Sequence, residues 1–137
     1  MKPLAFLAAL TWAGLWLTPD QQGAAQFARA EYEAAAAVFR DPLWQGTAWF
    51  RAGEFDKAAQ AFARLDTPEG QFNQGNALVL QGKYDSAIAS YDRAIELRPD
   101  WQEARDNRDL AAARAELIAR TGGEMRCGAQ QGGDRGL

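Results

Sequence analysis

The sequence predicts an all-α chain built from short helical hairpins stacked into a solenoid. Alanine is abundant while Val and Ile are scarce, and strands favour the opposite because β-branched side chains fit the pleated surface. Prolines recur beside helix-capping residues, and between them a small residue, a charge and an aromatic recur together. Repetition of that kind is the mark of a stacked array.

Each element follows from this punctuation. Thr18-Pro19, Asp41-Pro42, Thr67-Pro68 and Pro99-Asp100 mark four helix starts, since a proline in the first turn gives up only an N–H that would be unpaired there. Thr18 with Gln21 and Asp100 with Glu103 read as capping boxes, each side chain satisfying the other's backbone donor. The chain breaks again at Arg29-Ala30-Glu31-Tyr32, Ala52-Gly53-Glu54-Phe55 and Gln81-Gly82-Lys83-Tyr84. The small residue makes the tight turn and the aromatic opens the next helix. Helix, turn, helix thus recurs over residues 20–41, 42–67 and 68–99. A final helix follows from Asp100 to about Arg120, with Trp101, Ala104, Leu110 and Leu117 on or near one face and a Glu116–Arg120 pair one turn apart. It reads as the polar cap that a solenoid needs.

The 137 residues allow one domain at most, and residues 18–120 hold the solenoid. Lys2 precedes an apolar run from Leu4 to Leu17, 14 residues long, where a bilayer crossing takes roughly 20. That is the length of a signal-peptide core, yet the run ends Gly-Leu-Trp-Leu-Thr-Pro rather than in Ala-x-Ala. Residues 1–17 are therefore a signal peptide or an N-terminal membrane anchor, with Trp12 and Trp16 suited to an interface; a buried first helix is the third reading. With only Lys2 before the run, charge asymmetry puts the N-terminus in the cytoplasm and the repeats outside. Residues 121–137 are Gly-rich and poor in large apolar side chains, so a disordered tail is expected. Cys127 within it reads as an incidental thiol.

The composition also excludes chemistry. The chain has no histidine and one cysteine, which removes the commonest general base, an internal disulfide and a cysteine-built zinc site. Against 15 Lys plus Arg stand 18 Asp plus Glu, a net charge of −3, so no basic surface for nucleic acid is expected. Asp56, Asp85 and Asp92 fall on expected solvated faces with no constellation around them. No catalytic residue, metal ligand or cofactor site is expected, and the chain is not expected to be an enzyme.

The block Gln71 to Pro99 carries Gly75, Ala77, Gly82, Tyr84, Ala87, Tyr91, Ala94 and Pro99, and in that spacing it resembles the tetratricopeptide repeat (TPR). Gly46, Ala48, Trp49, Gly53, Phe55, Ala58 and Phe62 repeat the scheme, and Gly23, Tyr32, Ala35 and Phe39 give a first copy. Small side chains at Gly75 and Ala87 would let two backbones meet while Leu78, Tyr84 and Tyr91 fill the flanks. Spacing departs from the family's 34 residues: Tyr32 to Phe55 is 23 and Phe55 to Tyr84 is 29, which requires short second helices in the first two repeats. The resemblance implies a right-handed superhelix of hairpins.

A narrower resemblance covers roughly residues 15–120, on LWLTPDQQG, FRDPLWQGTAWFRAGEFDKAAQAF and FNQGNALVLQGKYDSAIASYDRAIELRPDWQEARDN. It looks like the TPR region of Bat (aerotolerance-type) membrane proteins, which pair TPRs with a von Willebrand factor A domain. No Asp-x-Ser-x-Ser motif occurs in the chain, so the metal chemistry of that domain does not carry over. The resemblance implies attachment to a bacterial inner membrane and, as partners, von Willebrand-domain relatives and a MoxR-type AAA ATPase.

In TPR proteins the first helices of successive repeats line a concave groove that grips a peptide or partner. Matching positions here are Leu43, Thr47, Phe50 and Arg51, then Phe72, Asn76, Val79 and Leu80. The Asn76 amide could hold a ligand's backbone, since it donates and accepts at once. Phe50 and Phe72 could be apolar anchors with Arg51 at the rim, or could simply pack the repeats. Phe72 stands where chaperone-binding TPRs carry a carboxylate-clamping lysine, so an acidic C-terminal tail is not the expected ligand. Two readings of function follow: an adaptor that presents a groove to a partner at the bacterial membrane, or a structural segment or fragment that stabilises a larger envelope assembly.

Overall fold

A computed structural model describes residues 16–131, with side chains described as far as residue 122. Among the described residues there are seven helices and no strand: α1 (Pro19–Ala28), α2 (Tyr32–Val38), α3 (Pro42–Arg51), α4 (Phe55–Phe62), α5 (Pro68–Leu80), α6 (Tyr84–Leu97) and α7 (Gln102–Gln131). The fold is all-α, with helices paired in hairpins as in TPRs. The chain forms two compact units, one ending at Asp66 and one beginning at Thr67. In the first, α1, α2, α3 and α4 pack in order; in the second, α6 packs on both α5 and α7.

Three prolines start helices as expected. Thr18 and Gln21 form the reciprocal capping box ahead of Pro19. The Asp41 carboxylate accepts from the Leu43 and Trp44 amides at 2.9 and 3.0 Å, and the Thr67 hydroxyl accepts from Gly70 at 3.1 Å. The start expected at Asp100 is corrected. The Trp101 N–H donates to the Arg98 carbonyl at 3.2 Å, so Pro99 and Asp100 occupy a turn and α7 begins at Gln102.

Each hairpin turn is the same Schellman closure. The Ala30, Gly53 and Gly82 amides donate to Phe27, Phe50 and Val79, while the next amides reach back to Gln26, Trp49 and Leu78. The pivot residue is left-handed each time, at φ 60°, 81° and 72°. Glycine takes that conformation freely, but at Ala30 the Cβ meets the carbonyl at a cost of roughly 1–2 kcal/mol. Ala30→Gly is therefore expected to stabilise the chain by about 1 kcal/mol and Gly82→Ala to destabilise it by about as much, read from urea unfolding midpoints.

Within each hairpin a glycine of the first helix meets a ring of the second. A Cβ added at Gly23, Gly46 or Gly75 would lie 2.8, 2.6 or 2.6 Å from the Phe39, Phe62 or Tyr91 ring. These rings are buried, as are Ala35, Ala58 and Ala87 on the same second helices. The second helices of the first two hairpins are short, 7 and 8 residues against 14 for α6. Both end at or beside the ring that meets the glycine, so the hairpin is kept and only the run beyond the ring is cut.

The face predicted for α7 is corrected in part. Ala104 and Ala111 are buried, while Leu110 and Leu117 are 52% and 54% exposed; a one-residue step turns roughly 100° around a helix, and the packed stripe runs through the alanines. The Glu116–Arg120 pair is present at 3.9 Å. The disorder expected from Thr121 is also corrected, because helical backbone continues to Gln131. The Thr121 hydroxyl bonds back to the Leu117 and Ile118 carbonyls at 3.1 Å. No proline interrupts residues 121–131, and an established helix adds a hydrogen bond with each further residue. Residues 1–15, with most of the apolar segment, and residues 132–137 lie outside the described residues, as does the Cys127 side chain. Trp16 and Leu17, at the edge of the segment, are 81% and 41% exposed.

Candidate functional site

In the first unit the expected groove positions lie along α3. Leu43 and Phe50 are half-buried, and Phe50 sets its ring edge-on to Phe55 at 5.3 Å. The Thr47 hydroxyl donates to the Leu43 carbonyl at 2.7 Å, so it is satisfied on its own helix. Arg51, in the last turn, is exposed and lines a cleft with Ala52, with Glu31 of the α1–α2 turn and with Tyr32 and Glu33 at the start of α2.

In the second unit the corresponding positions on α5 divide sharply. Phe72 is buried, its ring 4.5 Å from Trp101 and 5.8 Å from Tyr91. Arg98 also lies over Trp101, its guanidinium carbon 4.6 Å from the ring centre. Of the two readings open for Phe72 these contacts favour packing, the ring holding α5, α6 and the start of α7 together. Val79 is half-buried and Leu80 is 54% exposed.

Asn76 also turns inward. Its amide oxygen accepts from the Tyr91 hydroxyl at 2.7 Å and from the Asn107 amide at 3.2 Å, so that acceptor ties three helices together. Beside it Arg108 donates to Asp92 at 3.0 Å, a second α6–α7 tie. Asp56 likewise accepts from Gln60 within α4 at 2.8 Å.

Burial pushes the Tyr91 hydroxyl up to about 12, opposed in smaller part by the Asn107 amide. The folded state thus favours the neutral phenol. Its contribution to stability is full below pH 10, the ordinary tyrosine value, and drains away as the pH rises towards 12. Wild type should lose stability over that window faster than Tyr91→Phe, measured by urea unfolding at fixed pH steps.

Two features escape the sequence reading. Trp44, in the first turn of α3, is 51% exposed although it stacks on Phe39 at 5.9 Å. Lys57 lies over the Trp49 ring at 4.5 Å, in a cleft that Gln45, Gln60 and Arg64 complete. The Trp49–Lys57 spacing across a turn was the available signal, since α3 and α4 are antiparallel neighbours. Among the described residues no group of three or more His, Cys, Asp or Glu is placed to hold a metal ion, and no helix is long and apolar enough to cross a membrane.

Of the expected groove positions, Arg51 on α3 and Leu80 on α5 are exposed, with Phe50 and Val79 half-buried beside them. Of the positions just after the glycines, Thr47 is bonded within its own helix and Asn76 to α6 and α7. Residues 68–100, spanning α5, α6 and the turn that follows, match the family model of the tetratricopeptide repeat. No curated protein matches the chain.

Proposed function

We propose that this chain is a non-catalytic adaptor that holds a peptide or a partner subunit against the ends of its first-of-hairpin helices. TPR repeats mediate protein–protein interaction, and the repeat at residues 68–100 supports that class of role here. The observation that carries the reading is the Val79–Leu80 pair, an apolar edge whose Leu80 side chain is 54% exposed in a helix otherwise locked by its neighbours. In the first unit the matching position carries Arg51, an exposed cation that suits an acidic group on a partner. No part of this role requires a catalytic group.

A cell-envelope setting belongs to the same proposal, on the strength of the resemblance to Bat-type TPR regions and of the apolar residues 4–17. In that setting the repeats stand at a bacterial inner membrane on the periplasmic side, or in the periplasm if residues 1–17 are removed. The partners are von Willebrand-domain relatives and a MoxR-type AAA ATPase.

The test is co-purification of the tagged chain from membrane and soluble fractions, comparing wild type with Leu80→Asp and Arg51→Glu. A protein retained by wild type and lost from both variants, with helicity by circular dichroism unchanged, is the expected result. Identical co-purifying proteins from all three would remove these positions from the interface.

A further inference from the structure

The exposed side of α7 carries a pattern that the partner-binding reading does not use. Leu110 and Leu117 stand seven residues apart and are 52% and 54% exposed, with exposed Ala113 between them. That heptad spacing is the seam of a two-helix coiled coil, where a small central residue lets the backbones close. At one end of the seam lies Asp106, which accepts from Gln102 at 2.8 Å. At the other lies Arg120, paired with Glu116 at 3.9 Å. The opposite side of α7 is already occupied: Ala104 and Ala111 are buried, and Arg108 and Asn107 bond to α6 and α5.

The order of charges selects the occupant. If a second α7 lies alongside in the same direction, Asp106 meets Asp106 and Arg120 meets Arg120, both repulsive. If it lies reversed about a two-fold axis near Ala113, Leu110 falls beside Leu117 and Asp106 beside Arg120, at both ends at once. A two-fold pairing demands such self-complementarity. We infer that α7 is a self-association surface through which two copies of this chain pair antiparallel, with Leu110, Ala113 and Leu117 in the seam and Asp106–Arg120 pairs closing its ends.

The geometry also sets α7 apart from the first helices of the hairpins. Its register follows that of α5, with Ala104 and Ala111 buried where α5 buries Gly70 and Ala77. The position matching Gly75 is then Asp109. A hairpin ring cannot seat against an aspartate as Tyr91 seats on Gly75, so α7 lacks the glycine seat that the first helix of each hairpin carries.

Sedimentation equilibrium on the full chain tests this. The apolar residues 4–17 could cause association of their own, so the α7 variants carry the decision. Wild type is expected to show a monomer–dimer equilibrium, and Leu117→Glu to raise its dissociation constant at least tenfold while thermal unfolding of the monomer is unchanged. Asp106→Arg alone and Arg120→Asp alone should each weaken the dimer, and the double variant should restore it because the reversed charges meet across the axis. A chain that stays monomeric, a dimer untouched by Leu117→Glu, or a double variant weaker than both singles would overturn the inference. In the first case the seam belongs to another protein, in the second the association runs through residues outside α7, and in the third the helices do not pair in this register.

Discussion

Gly75→Ala is expected to destabilise the chain by about 2 kcal/mol, against the direction of helix propensity. Alanine in a helix interior gains about 1 kcal/mol over glycine. At Gly75 the new Cβ would stand 2.6 Å from the Tyr91 ring, and overpacking of that kind costs about 1–3 kcal/mol or more. The ring cannot swing aside cheaply, because its hydroxyl is fixed on Asn76 at 2.7 Å. Clash therefore wins over propensity. Tyr91→Leu should itself cost about 2–3 kcal/mol, from lost packing and a weakened Asn76 network. Combined with Gly75→Ala it should cost less than the sum, with a coupling of about 1–2 kcal/mol in a double-mutant cycle. Gly122 is the contrast, a helical glycine with nothing within 4 Å of its Cβ position, where alanine gains the propensity with no clash. Urea unfolding of the four proteins of the cycle measures this, and a Gly75→Ala variant as stable as wild type would mean that helix and ring do not meet.

Phe72→Ala is expected to cost about 3–5 kcal/mol, the range for deleting a buried aromatic, while Leu80→Ala stays within about 0.5 kcal/mol of wild type. Phe72 loses its contacts with Trp101 at 4.5 Å and Tyr91 at 5.8 Å, so the start of α7 should loosen first. Hydrogen exchange across residues 101–108 reads that loosening directly. The reverse pattern, with Leu80 critical for stability and Phe72 dispensable, would exchange the roles assigned to the two side chains.

Much of the hairpin architecture is legible in the sequence because its determinants are local. From Gly23, Gly46 and Gly75 the left-handed pivot follows after seven residues at Ala30, Gly53 and Gly82, and the facing ring after sixteen at Phe39, Phe62 and Tyr91. The shortened repeats are visible too, since the missing residues all fall after the ring. What local reading misses depends on a distant segment. Nothing near Phe72 announces that Trp101 will cover it, and nothing near Asn76 announces Tyr91 and Asn107 as its partners. A proline beside an aspartate reads as a helix start, yet the Trp101 amide turns back to Arg98 and the same pair makes a turn. In α7, Leu110 looks more like a core residue than Ala111, but packing against α6 is close enough to select the alanine.

The claim that this chain is an adaptor gripping its partner at the end of α5 is tested most directly by photo-crosslinking in cells. A photoreactive residue is placed at position 80, with position 72 as the buried control, in otherwise wild-type chain. The account predicts capture of one protein partner at position 80, abolished by Val79→Asp, and no intermolecular capture at position 72. Equal capture at both positions, or none at position 80, would contradict it.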